Sequence, residues 1–300
     1  MNQTLTSAWN RFFFDPADPR IYAGFRIGFG VLLLINGAVL APDWLRWFSD
    51  TGVLDRKAGR ANIDPQTWSV FTWLPGTAGV LWTCFAIFMT QALALTLGIF
   101  PRVQAACLFI WLLSLHHRNN LIWDGEDVLF RLVCFLLIFM PISAAWSLTR
   151  SRRPNLQTSL WPLRLLQIQL TCLYLSSVLC KLLGEAWLNG TALHYAIQLD
   201  DFARAPWLAG LFEFTWLLNF ATWLVIGCEA LLIFGVWVPR MRRPTIVIGL
   251  CLHLGIELTL NLFLFQWLMI LILLTHLKPS DLPCVKQPRR QPSSRSASSD

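Results

Sequence analysis

The sequence contains little charge for its length. Asp, Glu, Lys and Arg make up only 14% of its 300 residues, whereas soluble domains average about 25%. Apolar residues make up 55%, and the mean hydropathy is +0.53. A chain this apolar is neither a disordered protein nor a nucleic-acid-binding module, and its net charge of +7 reflects basic residues in short loops between apolar runs.

The sequence also lacks the motifs of common catalytic and metal sites. It contains no CxxC pair, and no GxSxG, HExxH, Walker or GxGxxG motif occurs in a supporting context. Seven of the eight cysteines lie inside apolar runs, so we interpret them as small hydrophobic residues rather than a disulfide or zinc framework. We therefore expect no metal site.

Long apolar runs are what the sequence does contain. They predict an all-α polytopic membrane protein with seven or eight transmembrane helices in one bundle. The last run has 34 residues; as one helix it would be about 51 Å long, against a bilayer core of about 30 Å. Two short helices broken near Asn261, or one strongly tilted helix, would fit it. The predicted spans are 22–41, 77–98, 103–117, 127–147, 163–184, 212–238 and 244–277.

The distribution of Lys and Arg predicts the orientation. With the N-terminus in the cytoplasm and the last run split, fifteen Lys and Arg fall on the cytoplasmic side and six on the other. This favours eight spans with both termini in the cytoplasm, as in a multi-pass protein of a bacterial inner membrane. We expect a cytoplasmic segment at 1–21, a transmembrane domain at 22–278 and a disordered basic, Ser-rich tail at 279–300. The longest loop, 42–76, should lie along the outer interface and be partly helical.

Lys181 is the most informative charge inside an apolar run, because intramembrane charges are costly and often functional. It lies near the end of span 163–184, in the segment YLSSVLCKLLGEAWLNGTALHY. An amine held in apolar surroundings loses its proton more readily and can act as a base. The alternative is that Lys181 reaches to the membrane–water interface and has only a structural role.

A second group of polar residues occupies the short segment HHRNNLIWDGEDVLFRL. Its acids could bind a cation or orient a base. Alternatively, Asp124 caps the next helix, and Glu126 and Asp127 favour its first turn. Asp127 and Arg131 are one helical turn apart, which predicts an ion pair.

His253 and Glu257 are four residues apart and therefore share one helix face. This spacing suits either two metal ligands or a buried hydrogen-bonded pair that joins helices, and we favour the pair. Glu229 is isolated within its span and would pair with Arg26, Arg131 or Lys181.

Two segments carry a resemblance to a known family. They are RNNLIWDGEDVLFRL, followed by a span that ends in AAWSL, and SSVLCKLLGEAWLNGTALHYAI. Their order, with Lys181, Trp187, Gly190 and Thr191 in the second, resembles the horizontally transferred transmembrane (HTTM) domain family. That family includes the membrane part of vitamin K-dependent gamma-carboxylase. The resemblance covers most of residues 10–278 and implies an all-helical membrane fold whose active side faces away from the cytoplasm.

The resemblance also implies a function. In the carboxylase, a lysine at the motif matched by Lys181 is taken as the base that deprotonates the reduced vitamin. The resemblance therefore implies Lys181 as the catalytic base and a reduced, vitamin K-like quinone as the cofactor. It further implies a substrate- or cofactor-binding role for Asn119, Asn120, Asp124, Glu126, Asp127, Trp187, His253 and Glu257.

The match departs from the carboxylase at two positions of these segments. Cys180 and Lys181 stand where the carboxylase has two adjacent lysines, and Leu121 stands where it has a histidine after its paired asparagines. The chain also stops soon after its last apolar run, without the large extra-cytoplasmic region that recruits the carboxylase's protein substrates. We therefore expect chemistry on a lipid-soluble molecule rather than carboxylation of a propeptide-bearing protein.

Three functions remain open on the sequence. The first is a membrane enzyme that uses Lys181 on a quinone-like molecule. The second is a non-enzymatic membrane factor for the maturation or export of a secreted peptide or protein, which the resemblance implies for some bacterial relatives. The third is a transporter whose pathway is lined by Arg26, Arg131, Glu229 and Glu257. All three share the lipid bilayer as a partner.

Overall fold

The computed structural model describes residues 2–61, 67–149, 158–199, 204 and 214–277. This part of the chain is mostly helical, which confirms the predicted all-α class, and the predicted tail at 279–300 lies outside it. A pair of two-residue strands, β1 (Pro16–Ala17) and β2 (Thr158–Ser159), is antiparallel, with Pro16 opposite Ser159. The helices are α1 (Asn2–Phe14), α2 (Pro19–Leu40), α3 (Trp44–Phe48), α4 (Arg56–Ala61), α5 (Ala78–Leu97), α6 (Pro101–Arg118), α7 (Gly125–Phe139), α8 (Trp161–Leu182), α9 (Glu185–Leu188), α10 (Ala192–Gln198), α11 (Thr215–Gly235), α12 (Arg242–Thr259) and α13 (Phe265–Leu274).

Within the described ranges, four helical stretches are long and apolar enough to cross a membrane. They are Pro19–Phe48, which runs from α2 through α3, and the helices α5, α8 and α11. The chain is therefore a multi-pass membrane protein. Helices α6, α7, α12 and α13 are shorter or carry more polar residues, so the count of seven or eight spans stays a prediction. The shortest of them, α13, has 10 residues.

The last apolar run forms two helices, as the hypothesis of a break near Asn261 predicted. Helix α12 ends at Thr259 and α13 begins at Phe265. Between them, Phe263 has a left-handed backbone with φ 48°, a conformation that a right-handed helix does not contain. Arg204 also holds this connection, because its Nη2 donates to Asn261 Oδ1 at 2.8 Å.

The core lies where α2 packs against α5 and α13, and where α6, α7 and α8 pack beside them. Aromatic and leucine side chains make up most of it, and their spacing of three, four or seven residues places them on one face of each helix. Fully buried members include Phe29, Leu33, Phe130, Leu137 and Leu268.

One end of the bundle, here the basal end, contains the start of α2, residues 140–149, the start of α8 and the end of α13. Arg26 of α2 is fully buried there. Its guanidinium donates to the carbonyl oxygens of Ile142 at 2.7 Å and Trp146 at 2.5 Å. Gln167 of α8 donates to Thr275 O at 2.9 Å. Arg26 is thus held by backbone carbonyls and does not pair with Glu229.

The opposite end, here the cavity end, contains the ends of α2 and α6, the starts of α5 and α7, and the described residues of segment 41–76. That segment folds onto the helices through side-chain hydrogen bonds. Trp44 Nε1 donates to Leu81 O at 2.9 Å, and Ser69 Oγ donates to Ser114 O at 2.8 Å. Its described part contains α3 and α4 and is partly helical, as predicted.

Candidate functional site

A cavity of about 340 Å³ opens at the cavity end, between α2, α6, the start of α7 and the α12–α13 connection. Its volume falls in the range of small-molecule sites, about 300–1,000 Å³. Four predicted binding residues line it: Asn119, Asp124, Glu126 and Asp127. The other walls are mainly apolar and include Val39, Leu40, Leu112, Leu115, Ile122 and Phe263.

His116 and Asp127 form part of the polar wall. His116 Nε2 lies 3.4 Å from Asp127 Oδ1, and the histidine side chain is only 6% exposed. The imidazole is parallel to the Trp123 ring, with 5.6 Å between ring centroids. Its Nδ1 is buried and has no hydrogen-bond partner among the described residues.

The predicted ion pair between Asp127 and Arg131 is not formed. Asp127 Oδ2 instead accepts a hydrogen bond from the backbone N–H of Asp124 at 3.3 Å, which turns the carboxylate toward the start of α7. Arg131 lies one turn further along the helix, and its guanidinium sits 5.7 Å from the Trp123 ring centroid. The capping geometry therefore outweighs the helix-surface pair, because side chains near a helix start lean toward its N-terminus.

Glu126 connects the start of α7 to the break in the last apolar run. Its Oε2 accepts the backbone N–H of Leu264 at 2.9 Å, and the residue is 6% exposed. Asp124 caps the same helix by accepting the N–H groups of Glu126 at 2.7 Å and Asp127 at 3.4 Å. The predicted capping role of Asp124 is confirmed, and it places the carboxyl group of Glu126 at the cavity.

The two asparagines of this segment differ in position. Asn119 is fully buried. Its Nδ2 donates to Trp47 O, and its Oδ1 accepts the N–H of Leu121, both at 3.0 Å. These bonds fix the loop that leads into the cavity wall. Asn120 does not line the cavity, and its buried Oδ1 has no partner in the described part of the chain.

Lys181 belongs to a separate cluster between α8 and α11. Its Nζ donates to Glu229 Oε1 at 2.8 Å and Oε2 at 2.7 Å, and to Ser177 Oγ at 2.5 Å. The Trp187 ring centroid is 5.0 Å from the same nitrogen. The Lys181 and Glu229 side chains are only 14% and 10% exposed. Of the three partners considered for Glu229, Lys181 is the one that contacts it.

The lysine side chain points into the bundle. Ser177 precedes Lys181 by one turn, so the hydrogen bond to it directs the side chain back along α8, away from the helix end at Leu182. Residues 215 to 229 of α11 span about 21 Å, which places Glu229 well inside that helix. A side chain that reaches from the end of α8 to the nearby interface would run in the opposite direction.

The conformation of Gly190 in the Lys181 motif follows from close packing. Its φ is +76°, and a Cβ at this position would lie 2.9 Å from the Cα of Asn219 at the start of α11. Only glycine meets both conditions. Two residues earlier, Leu188 O accepts a hydrogen bond from Trp223 Nε1 at 3.2 Å. The segment after Lys181 therefore packs along α11 beside the ion pair.

His253 joins three helices. Its Nε2 lies 2.6 Å from the hydroxyl oxygen of Tyr174 on α8, and its Nδ1 lies 2.5 Å from Oε1 of Gln266 on α13. Glu257 lies on the same buried face, as predicted, but its carboxylate binds Arg204 at 2.5 Å. The expected His253–Glu257 hydrogen bond is therefore wrong, because neighbouring helices occupy both ring nitrogens. In the described ranges, no three His, Cys, Asp or Glu side chains gather as metal ligands.

The structure thus divides the predicted site residues among three places. Asn119, Asp124, Glu126 and Asp127 surround the cavity, Lys181 and Trp187 form the ion-pair cluster, and His253 and Glu257 lie on one face of α12. No residue that lines the cavity belongs to the Lys181 cluster.

One comparison with known proteins identifies the family. A model of the HTTM domain matches residues 14–280. The chain belongs to the HTTM domain family. The matched region contains both the cavity and the Lys181–Glu229 pair of this HTTM protein, so both lie within the family's domain. No curated protein and no solved structure matches the chain at a significant level.

Sequence reasoning missed His116 as a site residue, as it missed Tyr174 and Gln266. A signal for His116 was present. It ends one predicted span, and Asp127 begins the next after a short loop, which brings the two side chains together at one end of the bundle. No comparable signal exists for Tyr174 and Gln266, whose contacts with His253 link three separate helices.

Proposed function

We propose that this HTTM protein crosses a bacterial inner membrane eight times, with its N-terminus in the cytoplasm and its cavity end on the opposite side. The four shorter apolar helices would add four crossings to the four long ones. The excess of Lys and Arg in the loops of the basal end supports this orientation. Helix α13 is about 15 Å long, so residues on both sides of it would complete the last crossing.

We propose further that the protein is a membrane enzyme of the gamma-carboxylase-like type, with Lys181 as its base. The buried Lys181–Glu229 pair carries this proposal. Transfer of one proton from the ammonium group to the carboxylate would leave a neutral amine and a neutral carboxylic acid. A low-dielectric environment favours this exchange, because neither group then remains charged. The amine could next accept a proton from a substrate.

A reduced quinone would supply an acidic hydroxyl group for that transfer. The flat Trp187 ring beside Lys181 Nζ provides an apolar surface suited to such a ring. Ser177 would hold the amine in place through its hydroxyl group. Glu229 would store the proton that Lys181 releases and return it at the end of the cycle.

The first test is mass spectrometry of the lipids that copurify with the detergent-solubilised protein. We expect a quinone in the wild type and in Lys57→Met, which removes an exposed lysine from α4. In Lys181→Met the yield of quinone per protein should fall at least about tenfold, the equivalent of losing about 1.4 kcal/mol of binding.

The double variant Lys181→Met/Glu229→Gln controls for folding, because it leaves no unpaired charge in the bundle. It should behave as a folded protein and still lack the quinone. A quinone yield in this double variant equal to the wild type would contradict the proposal, as would the absence of quinone from every sample.

The contacts of four charged residues weaken the transporter hypothesis. Arg26 binds backbone carbonyls at the basal end, and Arg131 lies over Trp123. Glu229 binds Lys181, and Glu257 binds Arg204. These residues are engaged at separate places rather than along one pathway. No described feature favours the alternative role in peptide maturation over the enzyme.

A further inference from the structure

The cavity has an acidic wall, in which His116 is the one basic side chain among the described residues. Asp43, Asp124, Glu126 and Asp127 line the cavity, and no Lys or Arg of the described chain does so. Low-dielectric walls strengthen the field of these groups, since little water screens them. The cavity therefore attracts positive charge and repels anions.

Three of these carboxylates already have partners. Asp127 lies beside His116, Asp124 caps α7, and the half-exposed Asp43 lies 3.6 Å from Arg46. Each of these three carboxylates therefore has a polar or charged partner. The remaining carboxylate is that of Glu126.

Glu126 has no compensating cation. The residue is 6% exposed, and no Lys, Arg or His of the described chain lies within 4.0 Å of its carboxylate. A buried carboxylate is unfavourable unless a positive charge or several hydrogen-bond donors compensate it. In the same wall, the buried Nδ1 of His116 has no hydrogen-bond partner among the described residues.

The rest of the cavity is suited to a hydrocarbon. Val39 of α2, Leu112 of α6 and Ile122 of the following loop form apolar walls, and Trp47 and Phe263 add aromatic surface. Aromatic faces also attract cations. A ligand that fits both parts has a positive head and an apolar body.

We propose that the cavity binds an amphipathic monocation, namely one ammonium group on an apolar chain. The ammonium group pairs with the Glu126 carboxylate, and the chain lies between α2 and α6. A zwitterionic phospholipid headgroup fits less well, because its phosphate would face the carboxylates of Asp124 and Asp127. This binding does not involve Lys181, so it goes beyond the proposed enzyme function. The two proposals can therefore be tested independently.

Equilibrium dialysis of radiolabelled decylamine tests the proposal. The full-length protein is held in uncharged maltoside micelles, and protein-free micelles provide the blank. Decanol is the uncharged analogue with the same chain. We expect saturable binding of one decylamine per protein and at least about tenfold weaker binding of decanol, the ratio that corresponds to one charge-assisted contact.

Glu126→Gln removes the charge but keeps the shape and an acceptor for the N–H of Leu264. It should weaken decylamine binding at least about tenfold and leave decanol binding unchanged. The matched control is Glu185→Gln, which alters an exposed carboxylate on α9 outside the cavity. It should leave both affinities unchanged.

A second variant keeps the test decisive if Glu126→Gln does not fold. Val39 is 53% exposed, so Val39→Phe adds volume to the cavity wall with little disturbance of the core. It should weaken the binding of decylamine and decanol alike. Lys181→Met should bind decylamine as the wild type does, which separates this result from any result on quinone.

Four outcomes of the binding measurements would overturn the proposal, and a competition experiment adds a fifth. The four are no saturable decylamine binding, equal affinity for decanol and decylamine, unchanged decylamine binding in a folded Glu126→Gln protein, and undiminished decylamine binding in Val39→Phe. Competition with dihexanoyl phosphatidylethanolamine identifies the source of the ammonium group. If this lipid displaces decylamine as well as unlabelled decylamine does, the site belongs to a lipid headgroup and the preference for a monocation is wrong.

Discussion

Two charged side chains, Lys181 and Glu229, are buried against each other in a bundle of apolar helices. Both carboxylate oxygens accept hydrogen bonds from the lysine. Each charge therefore compensates the other, and the loss of either one would leave an uncompensated charge in an apolar environment. Breaking such a pair costs about 3–5 kcal/mol, whereas replacing both charges is often nearly neutral.

This asymmetry predicts strong coupling in a double-mutant cycle. Lys181→Met alone, and Glu229→Gln alone to a smaller extent, should lower the free energy of unfolding, with about 3 kcal/mol for the lysine. The double variant should recover most of that loss. Denaturant titration of the protein in mixed micelles measures all three, and Lys57→Met should leave stability unchanged. Additive losses in the double variant would show that the two side chains do not interact.

Two buried histidines, His253 and His116, differ in how many of their ring nitrogens have hydrogen-bond partners. Both ring nitrogens of His253 contact neighbouring helices through Tyr174 and Gln266, so this histidine holds the bundle together. His116 is similarly buried, yet its Nδ1 has no partner in the described chain. Burial alone does not separate the two residues. His253 is hydrogen-bonded at both ring nitrogens within the bundle, whereas one ring nitrogen of His116 in the cavity wall is without a partner there.

The segment after Lys181 owes its position to one backbone conformation. Gly190 has a left-handed φ and approaches Asn219 closely. This turn keeps α9 and α10 against α11 and holds Trp187 beside the lysine. A change in the conformation of this turn would therefore displace Trp187 from the ion pair as well as alter the loop.

Gly190→Ala should lower the free energy of unfolding by about 1–2 kcal/mol for the left-handed backbone alone, with a further loss from the contact with Asn219. The control is Gly227→Ala in the middle of α11, where a Cβ would meet nothing within 4 Å. That change should cause no loss, because alanine favours a helix. Thermal unfolding in detergent measures both variants. Equal effects of the two substitutions would contradict this account of Gly190.

The break between α12 and α13 contributes to the cavity. Phe263 and Leu264, in that connection, form part of the wall, and Glu126 holds it through the N–H of Leu264. A continuous helix over 244–277 would have no free N–H at Leu264 for Glu126, since its own carbonyls would accept it. The cavity thus depends on an interruption in an otherwise apolar run.

The arrangement of the whole molecule in the membrane is testable from its two ends. Leu121 follows α6 at the cavity end and is 62% exposed; Leu148 follows α7 at the basal end and is 71% exposed. In a chain without its native cysteines, Leu121→Cys should react with a membrane-impermeant maleimide added to intact cells. Leu148→Cys should react only after the membrane is permeabilised.

The opposite pattern of labelling would reverse the proposed orientation. Labelling of both positions from the same side would mean that α7 does not cross the membrane. Both variants alter exposed leucines in loops, so neither should disturb the core. The pair therefore tests the crossing of one of the shorter helices as well as the direction of the bundle.

The sequence by itself determined the membrane class, the family and the approximate positions of the long apolar helices, and it limited the last apolar run to a break near Asn261 or one tilted helix. Hydropathy, the length of each apolar run and the capping of α7 by Asp124 depend on residues close together in the chain. The order of residues in the sequence therefore reveals them. The same holds for Lys181, whose isolation among apolar residues is visible in the sequence.

Only the tertiary structure decided which side chains meet. Lys181 contacts Glu229, 48 positions away, and His253 and Glu257 bind different neighbours despite sharing a helix face. The capping geometry of Asp127 likewise prevailed over the expected pair with Arg131. Such contacts depend on how far each helix is rotated and shifted relative to its neighbours. The packing of all the side chains together sets this arrangement, so the spacing of residues within one segment does not encode it.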